Sequence, residues 1–205
     1  MMRIGSLLTA LLISLFLFTL PAKANDRLDE ATALVSDMAL AVKQAVEAVY
    51  DSDDAKAKVI DNLIESYFDF DGITRFSVGR YWRAASETEK QEYSIAFRAV
   101  LTGLAVRQFD QLNGLDYTIT DTVAKGDKLA LVTGIMSDPT GTNPDVIVSW
   151  RVGTLKDKPM RIIDVEIENI SMLVTQQQEN TAIIRKNSGK FSSLIEAMRE
   201  AAAEL

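Results

Sequence analysis

The 205-residue sequence contains no cysteine and no histidine. Without cysteine there is no disulfide, no thiol nucleophile and no cysteine-ligated zinc. Without histidine the commonest general base and the Ser-His-Asp relay are missing too. Proline is scarce, at 4 residues, and no Pro-rich or low-complexity tract marks a linker between domains. Basic charge is in deficit: 22 Lys+Arg against 29 Asp+Glu give a net −7, the opposite of the clustered positive surface that neutralises phosphates, so no nucleic-acid partner is expected. What is present is 47% hydrophobic and 25% charged residues, the balance of a chain that folds around an ordinary core.

Long hydrophobic runs are almost absent as well; the one exception is Ile4–Leu20, preceded by Met1-Met2-Arg3 and followed by Pro21-Ala22-Lys23-Ala24. A positive start, an apolar stretch and a small-residue Ala-x-Ala site predict a cleavable signal peptide over 1–24 and a single exported domain over 25–205. The competing reading is an uncleaved anchor, for which the run is short. No cysteine follows it, which excludes a lipid-modified N-terminus of the bacterial lipoprotein kind. Loss of Arg3 and Lys23 makes the mature chain more acidic, which opposes adsorption to anionic headgroups.

Apolar residues at Leu28, Ala31, Val35, Met38, Val42, Val46 and Val49 recur in steps of three and four, predicting a helix from Arg27 to Tyr50. Asp51-Ser52-Asp53-Asp54 supplies cap oxygens for a second helix through Val59, Ile60, Leu63, Ile64, Tyr67 and Phe68. A short helix follows through Ile73, Phe76 and Val78 to Gly79. Ser86 and Glu89 fit a capping box that opens a long helix to about Leu112. Strict alternation over Leu115–Thr120 then announces strands, continued in Lys128–Met136, Asp145–Gly153 and Met160–Ile167, with turns at Lys125-Gly126-Asp127 and Lys156-Asp157-Lys158-Pro159. Helical spacing returns in Met172–Lys186 and again through Phe191, Leu194, Ile195 and Met198. The order predicts an α+β domain: N-terminal helices packed on a curved four-stranded antiparallel sheet, closed by two C-terminal helices.

Chemical motifs are few. Asp164, Glu166 and Glu168 share one face of the last strand and read as a solvated face rather than a hydrolytic pair. Asp51-Ser52-Asp53-Asp54 lacks the glycine and distal glutamate of a calcium loop. Asn169-Ile170-Ser171 matches a glycosylation sequon at the level of chance. A small-molecule enzyme would have to draw on Asp69, Asp71, Tyr81 and Tyr117. Leu129, Ala130, Leu131, Val132, Ile135 and Met136 send apolar groups to both faces of one strand, and with the aromatic residues they suffice to line a cavity between sheet and helices. Spacing alone does not separate such a hollow from a filled core, and a pure protein-interaction module would have no cavity.

Three stretches carry a family resemblance. Phe68-Asp69-Phe70-Asp71-Gly72-Ile73-Thr74-Arg75-Phe76-Ser77-Val78-Gly79-Arg80-Tyr81-Trp82 combines an acidic-aromatic start, a small helix, a glycine and a Trp. Glu92–Leu101 places a Phe inside a long helix. Ile163-Asp164-Val165-Glu166-Ile167-Glu168-Asn169-Ile170-Ser171-Met172-Leu173-Val174 leads into a polar helix and is the most specific of the three. Together they resemble the MlaC and toluene-tolerance family of periplasmic phospholipid-binding proteins, with the HpnM proteins of hopanoid metabolism as relatives. Two positions depart from the family pattern: Asn169 where Gly is common, and Gln176-Gln177-Gln178 where many members have Asn-Tyr-Arg.

The resemblance implies a periplasmic carrier without cofactor or catalytic residue. Such a carrier shuttles a phospholipid between an outer-membrane lipoprotein complex and an inner-membrane ABC transporter with its MCE-domain partner, in the service of outer-membrane lipid asymmetry. A hopanoid or another hydrophobic ligand is the alternative cargo. With that function, the lipid-binding wall is expected to comprise Phe70, Phe76, Trp82, Phe97, Leu101, Val132, Val148, Trp150, Ile163 and Val165, large apolar residues on elements expected to face one another. Arg80, Arg83, Arg98 and Arg107 read as surface charges, with a lipid phosphate as the alternative partner for any of them.

Overall fold

The computed structural model describes residues 22–154 and 159–205; the leader expected over 1–24, up to residue 21, and the turn expected at Lys156-Asp157-Lys158-Pro159, up to Lys158, fall outside them. The helical half begins with α1 (Ala22–Glu47), set three residues earlier at its C-terminal end than its apolar stripe predicts, and α2 (Asp53–Tyr67), whose N-cap Ser52 accepts from the Ala55 amide. Asp69 caps the short α3 (Phe70–Phe76). Gly79, at φ +53, turns the chain into a 3₁₀ segment, Gly79–Arg83. The capping box at the head of α4 (Glu87–Phe109) is formed as expected: Ser86 Oγ accepts from the Glu89 amide at 3.2 Å and Glu89 Oε2 from the Ser86 amide at 2.9 Å. A 3₁₀ turn, Asp110–Leu112, completes it.

The sheet is antiparallel throughout, in the order β1 (Asp116–Lys125), β2 (Leu129–Ser137), β3 (Val146–Gly153), β4 (Arg161–Ile167), β5 (Ile170–Ser171). The four-stranded expectation is corrected by β5. Glu168 and Asn169, at φ 49 and φ 64, form a two-residue turn with both central residues left-handed, so Ile170 folds back to pair with Ile167. Asn is one of the few side chains that accept this backbone. β1 also runs five residues beyond the alternating stretch, through a bulge between Ile119 and Asp121. At Gly134 the sheet admits the Tyr117 ring at a distance no Cβ would allow, and the Tyr117 hydroxyl reaches across to donate to the Val148 carbonyl at 3.1 Å.

The layering also differs from a simple stack of helices on a sheet. Among the described residues, α1 is the helix that lies across several strands, burying Ala31, Val35 and Met38 against Ala130, Val132, Val152 and Ile162. α2 and α4 pack on each other, α5 (Met172–Lys186) leans on β4, and α6 (Ser192–Ala203) closes against α4 rather than the sheet. Three apolar clusters result: α1 with the sheet; α1 with α2 and the end of α4 around Ile60 and Phe109; and α3, α4, α5 and α6 around Tyr93, Phe97, Ile184 and Leu194. Each is a locally satisfied core, and the space between them sets the site.

Candidate functional site

Where the three clusters meet, they do not close. A cavity of about 200 Å³ lies between α2, α3, α4, β4 and α5, walled by Ile64, Phe68, Phe70, Ile73, Phe97, Leu101, Ile163, Asp164, Val165, Met172, Leu173 and Gln176. Each cluster contributes a wall residue: Ile64 belongs to the α1–α2 cluster, Phe68 to the sheet cluster, and Phe97, with Phe70, Ile73 and Leu101 packed against it, to the helical one. Phe97 and Leu101 are one helical turn apart on α4 and so face the hollow together. Phe70 stacks on Phe97 with centroids 6.2 Å apart, and Phe97 in turn on Tyr93 at 5.4 Å, which fixes the aromatic wall from behind.

The polar members of the wall are already engaged. Both Asp164 oxygens accept hydrogen bonds, from Ser171 Oγ at 2.6 Å and from the Leu173 amide at 3.0 Å, and Arg151 lies 3.5 Å away. Asp164 is only 4% exposed, which corrects the reading of Asp164, Glu166 and Glu168 as one wet face. Glu166 is part-buried against Arg151, and Glu168 lies beyond the strand in the turn. Gln176 donates to Asn180 Oδ1 at 2.9 Å. What the wall offers a ligand is therefore hydrocarbon contact. A second hollow, about 230 Å³ between α4 and α6, is bordered by the Glu92–Arg199 ion pair at 3.0 Å and lacks such a wall.

Of the ten residues expected to line the cavity, Phe70, Phe97, Leu101, Ile163 and Val165 do so. The other five lie elsewhere. Phe76 sits at the end of α3 and is 44% exposed. Trp82 packs against the outside of the helical cluster, with Lys90 Nζ 5.7 Å from its ring centre. Val132 and Trp150 join the α1–sheet cluster, and Val148 is buried in β3 outside the wall. Trp150 still backs the wall, because its ring meets Phe68 edge-on at 6.3 Å. Seven wall residues were not anticipated. Ile64, Phe68 and Ile73 had a signal, the apolar stripes of their own helices. Met172, Leu173 and Gln176 had one in the Ser171 cap, which fixes where α5 starts and hence which residues of its first two turns share a face.

The model of the family described as MlaC protein matches residues 33–200, nearly all of the described chain. The chain belongs to the MlaC family. Among solved structures, a phospholipid-binding protein from Ralstonia solanacearum, determined in complex with a phospholipid, is similar in fold at a TM-score of 0.71 and 17% identity, covering 86% of this chain and 96% of that one. No curated protein matches the sequence.

In this MlaC-family chain, the four residues that the enzyme alternative names, Asp69, Asp71, Tyr81 and Tyr117, are not gathered at the cavity. Asp69 Oδ1 accepts from the Gly72 amide at 3.3 Å as a helix cap, and Asp71 lies in the first turn of α3. The Tyr81 hydroxyl takes a 3.3 Å hydrogen bond from Arg80. Tyr117 is in β1 with its ring over Gly134, where burial pushes its phenol up to about 12. None of the four lines the cavity. Among the arginines, Arg107 donates to the Glu204 carbonyl near the C-terminus, whereas Arg98 stands over the face of Phe70, its guanidinium carbon 4.5 Å from the ring centre.

Proposed function

We propose that this chain is a periplasmic carrier that holds a phospholipid by its acyl chains in the cavity between α2, α3, α4, β4 and α5. Its task on this reading is to move the lipid between an outer-membrane lipoprotein complex and an inner-membrane ABC transporter with an MCE-domain partner. The observation that carries the reading is the hydrocarbon wall around a hollow at the junction of three separate cores. Family membership and the likeness to a protein solved with a bound phospholipid support the same cargo.

The physics favours such a device. Each methylene withdrawn from water is worth about 0.8 kcal/mol, so two chains of about 30 methylenes together carry over ~20 kcal/mol of exposure cost through bare solvent. An apolar cavity removes most of it, and since bilayer and cavity are both apolar, transfer between them lies near balance. No bond is made or broken, so no catalytic group is called for.

At about 200 Å³ the hollow is below the ~300–1,000 Å³ of a typical small-ligand pocket. Loading therefore needs the walls to part. The junction of the three clusters is where such parting breaks the fewest apolar contacts, since each cluster is packed mainly within itself even though α1 and α4 each run through two of them. Native mass spectrometry of the freshly purified protein, followed by extraction and identification of the lipid, tests the assignment. A stoichiometric co-purifying phospholipid supports it. A hopanoid would redirect the cargo, and protein that stays empty after incubation with phospholipid vesicles would remove the carrier reading.

A further inference from the structure

Beside the cavity wall, though not itself part of it, Arg98 carries a guanidinium that the fold leaves incompletely partnered. It projects from α4 between two wall residues in sequence terms, Phe97 and Leu101, and packs over a third, Phe70, at 4.5 Å. Its side chain is 29% exposed, yet Nη1 is buried without a hydrogen-bond partner. The carboxylate beside it, Asp61, stands 3.8 Å from Nη1, beyond hydrogen-bond range, and the facing Oδ1 already accepts from Thr102 Oγ1 at 2.8 Å. A buried donor on a charged group that lacks an acceptor is costly, and a guanidinium fork is shaped for a planar pair of anionic oxygens. Stacking on Phe70 holds that fork in place before any ligand arrives.

We propose that Arg98 binds the phosphate of the lipid whose chains occupy the cavity, and so selects phosphodiester lipids over neutral diacylglycerols with the same tails. The inference rests on the lipid-carrier reading above. Aromatic wall and charged fork share one residue, Phe70, so tail burial and phosphate recognition are set by a single packed unit. Arg98 touches the headgroup, while the apolar wall supplies the bulk of the affinity.

The test loads delipidated protein with an equimolar mixture of palmitoyl-oleoyl phosphatidylethanolamine and palmitoyl-oleoyl diacylglycerol and counts bound species by native mass spectrometry. The native chain is expected to favour the phospholipid about tenfold, the scale of one hydrogen bond to a charged group. Arg98→Gln should bind both lipids nearly equally, and Arg98→Lys, which keeps the charge but not the fork, should fall between. Asp61→Asn separates ligand recognition from a purely structural ion pair: it should keep the phospholipid preference, whereas loss of preference in Asp61→Asn and Arg98→Gln alike would overturn the proposal. Unchanged selectivity in Arg98→Gln would overturn it too. Excess inorganic phosphate competes for the same fork and should lower the preference of the native chain while leaving the Arg98→Gln ratio unchanged; an equal change in both would overturn the proposal. A native chain that loads neither lipid would defeat the carrier reading itself.

Discussion

The side-chain amide of Asn180, fully buried on α5, donates a 2.8 Å hydrogen bond to the hydroxyl of Tyr93, fully buried on α4. The pair anchors a closed polar network inside the helical core. Tyr93 lies 2.6 Å from Ser77 Oγ, Ser77 donates to the Thr74 carbonyl, Asn180 donates also to the Ser77 carbonyl at 3.1 Å, and Gln176 of the cavity wall donates to Asn180. α3, α4 and α5 are thus pinned to one another directly behind the hollow. Removing one partner strands the others in a low-dielectric interior, where each unsatisfied group costs about 1–3 kcal/mol. Asn180→Ala is therefore expected to lower unfolding stability by about 2–3 kcal/mol in urea titrations. Asn180→Ala and Tyr93→Phe should combine non-additively, and a double-mutant cycle with no coupling would contradict the network.

Steric filling separates cavity from core. Leu101→Trp adds bulk to a wall residue and is expected to reduce phospholipid loading about tenfold by overpacking the space the chains need. Val132→Ala removes packing from a fully buried position in the α1–sheet cluster. It should cost about 2 kcal/mol of stability and leave loading of the folded protein unchanged. Vesicle-extraction assays with folded fractions of both variants make the comparison, and equal loading by the Leu101 variant would place the lipid elsewhere.

How much of this was legible in the sequence depends on the range of the interaction. The Ser86–Glu89 capping box, the Ser52 cap and the start of α5 at Met172 are local, and the residues alone specify them. Strand alternation likewise marks β2, β3 and β4 to within about a residue. Face assignment is a tertiary matter. Val132, Trp150 and Val165 are neighbours across β2, β3 and β4, yet Val165 reaches the cavity while Val132 and Trp150 pack in the α1 cluster. Nothing in a period of two states which helix covers which part of a strand. Asp164 was misread for the same reason: an alternating carboxylate looks solvated until Arg151 from β3 and the first turn of α5 are folded onto it. The bulge opposite Arg151 and Val152 shifts the β3–β4 register further, which no alternation pattern anticipates.

Alkaline titration should register the buried phenols. Tyr117 titrates at about 12 in the fold against 10.0 ordinarily, because burial disfavours the phenolate, and burial raises Tyr93 in the same direction. The folded state therefore holds these protons more tightly than the unfolded chain. The Tyr117 contribution is fully present below pH 10 and is lost as the pH rises through about 12, and that of Tyr93 is lost at higher pH still. In about 1 M salt, which screens the exposed Lys43–Asp116 and Lys56–Asp110 pairs, unfolding free energy should decline over that interval. The decline should be shallower in Tyr117→Phe and shallowest with Tyr93→Phe added; identical slopes in all three proteins would contradict the assignment.

Asp164 links the sheet to the α5 side of the cavity most directly. Its carboxylate caps α5 from outside the helix, accepting from Ser171 Oγ and the Leu173 amide, while Ser171 Oγ accepts in turn from the Val174 amide. The first turn of α5 supplies Met172 and Leu173 to the wall, so one side chain of β4 holds one side of the hollow in register. Asp164→Ala leaves those donors and Arg151 without the carboxylate, although Arg151 retains Glu166. The expected loss is about 1–3 kcal/mol, less than for a fully buried ion pair because Arg151 is one-third exposed. The distinguishing consequence is local. Hydrogen exchange at the Leu173 and Val174 amides should quicken in Asp164→Ala while the Tyr93–Asn180 side of the core keeps its protection. If wall geometry depends on this anchor, dissociation of preloaded phospholipid should quicken with it; exchange spread evenly over all of α5 would instead show that the helix is held by its packing on α6 and α3 alone.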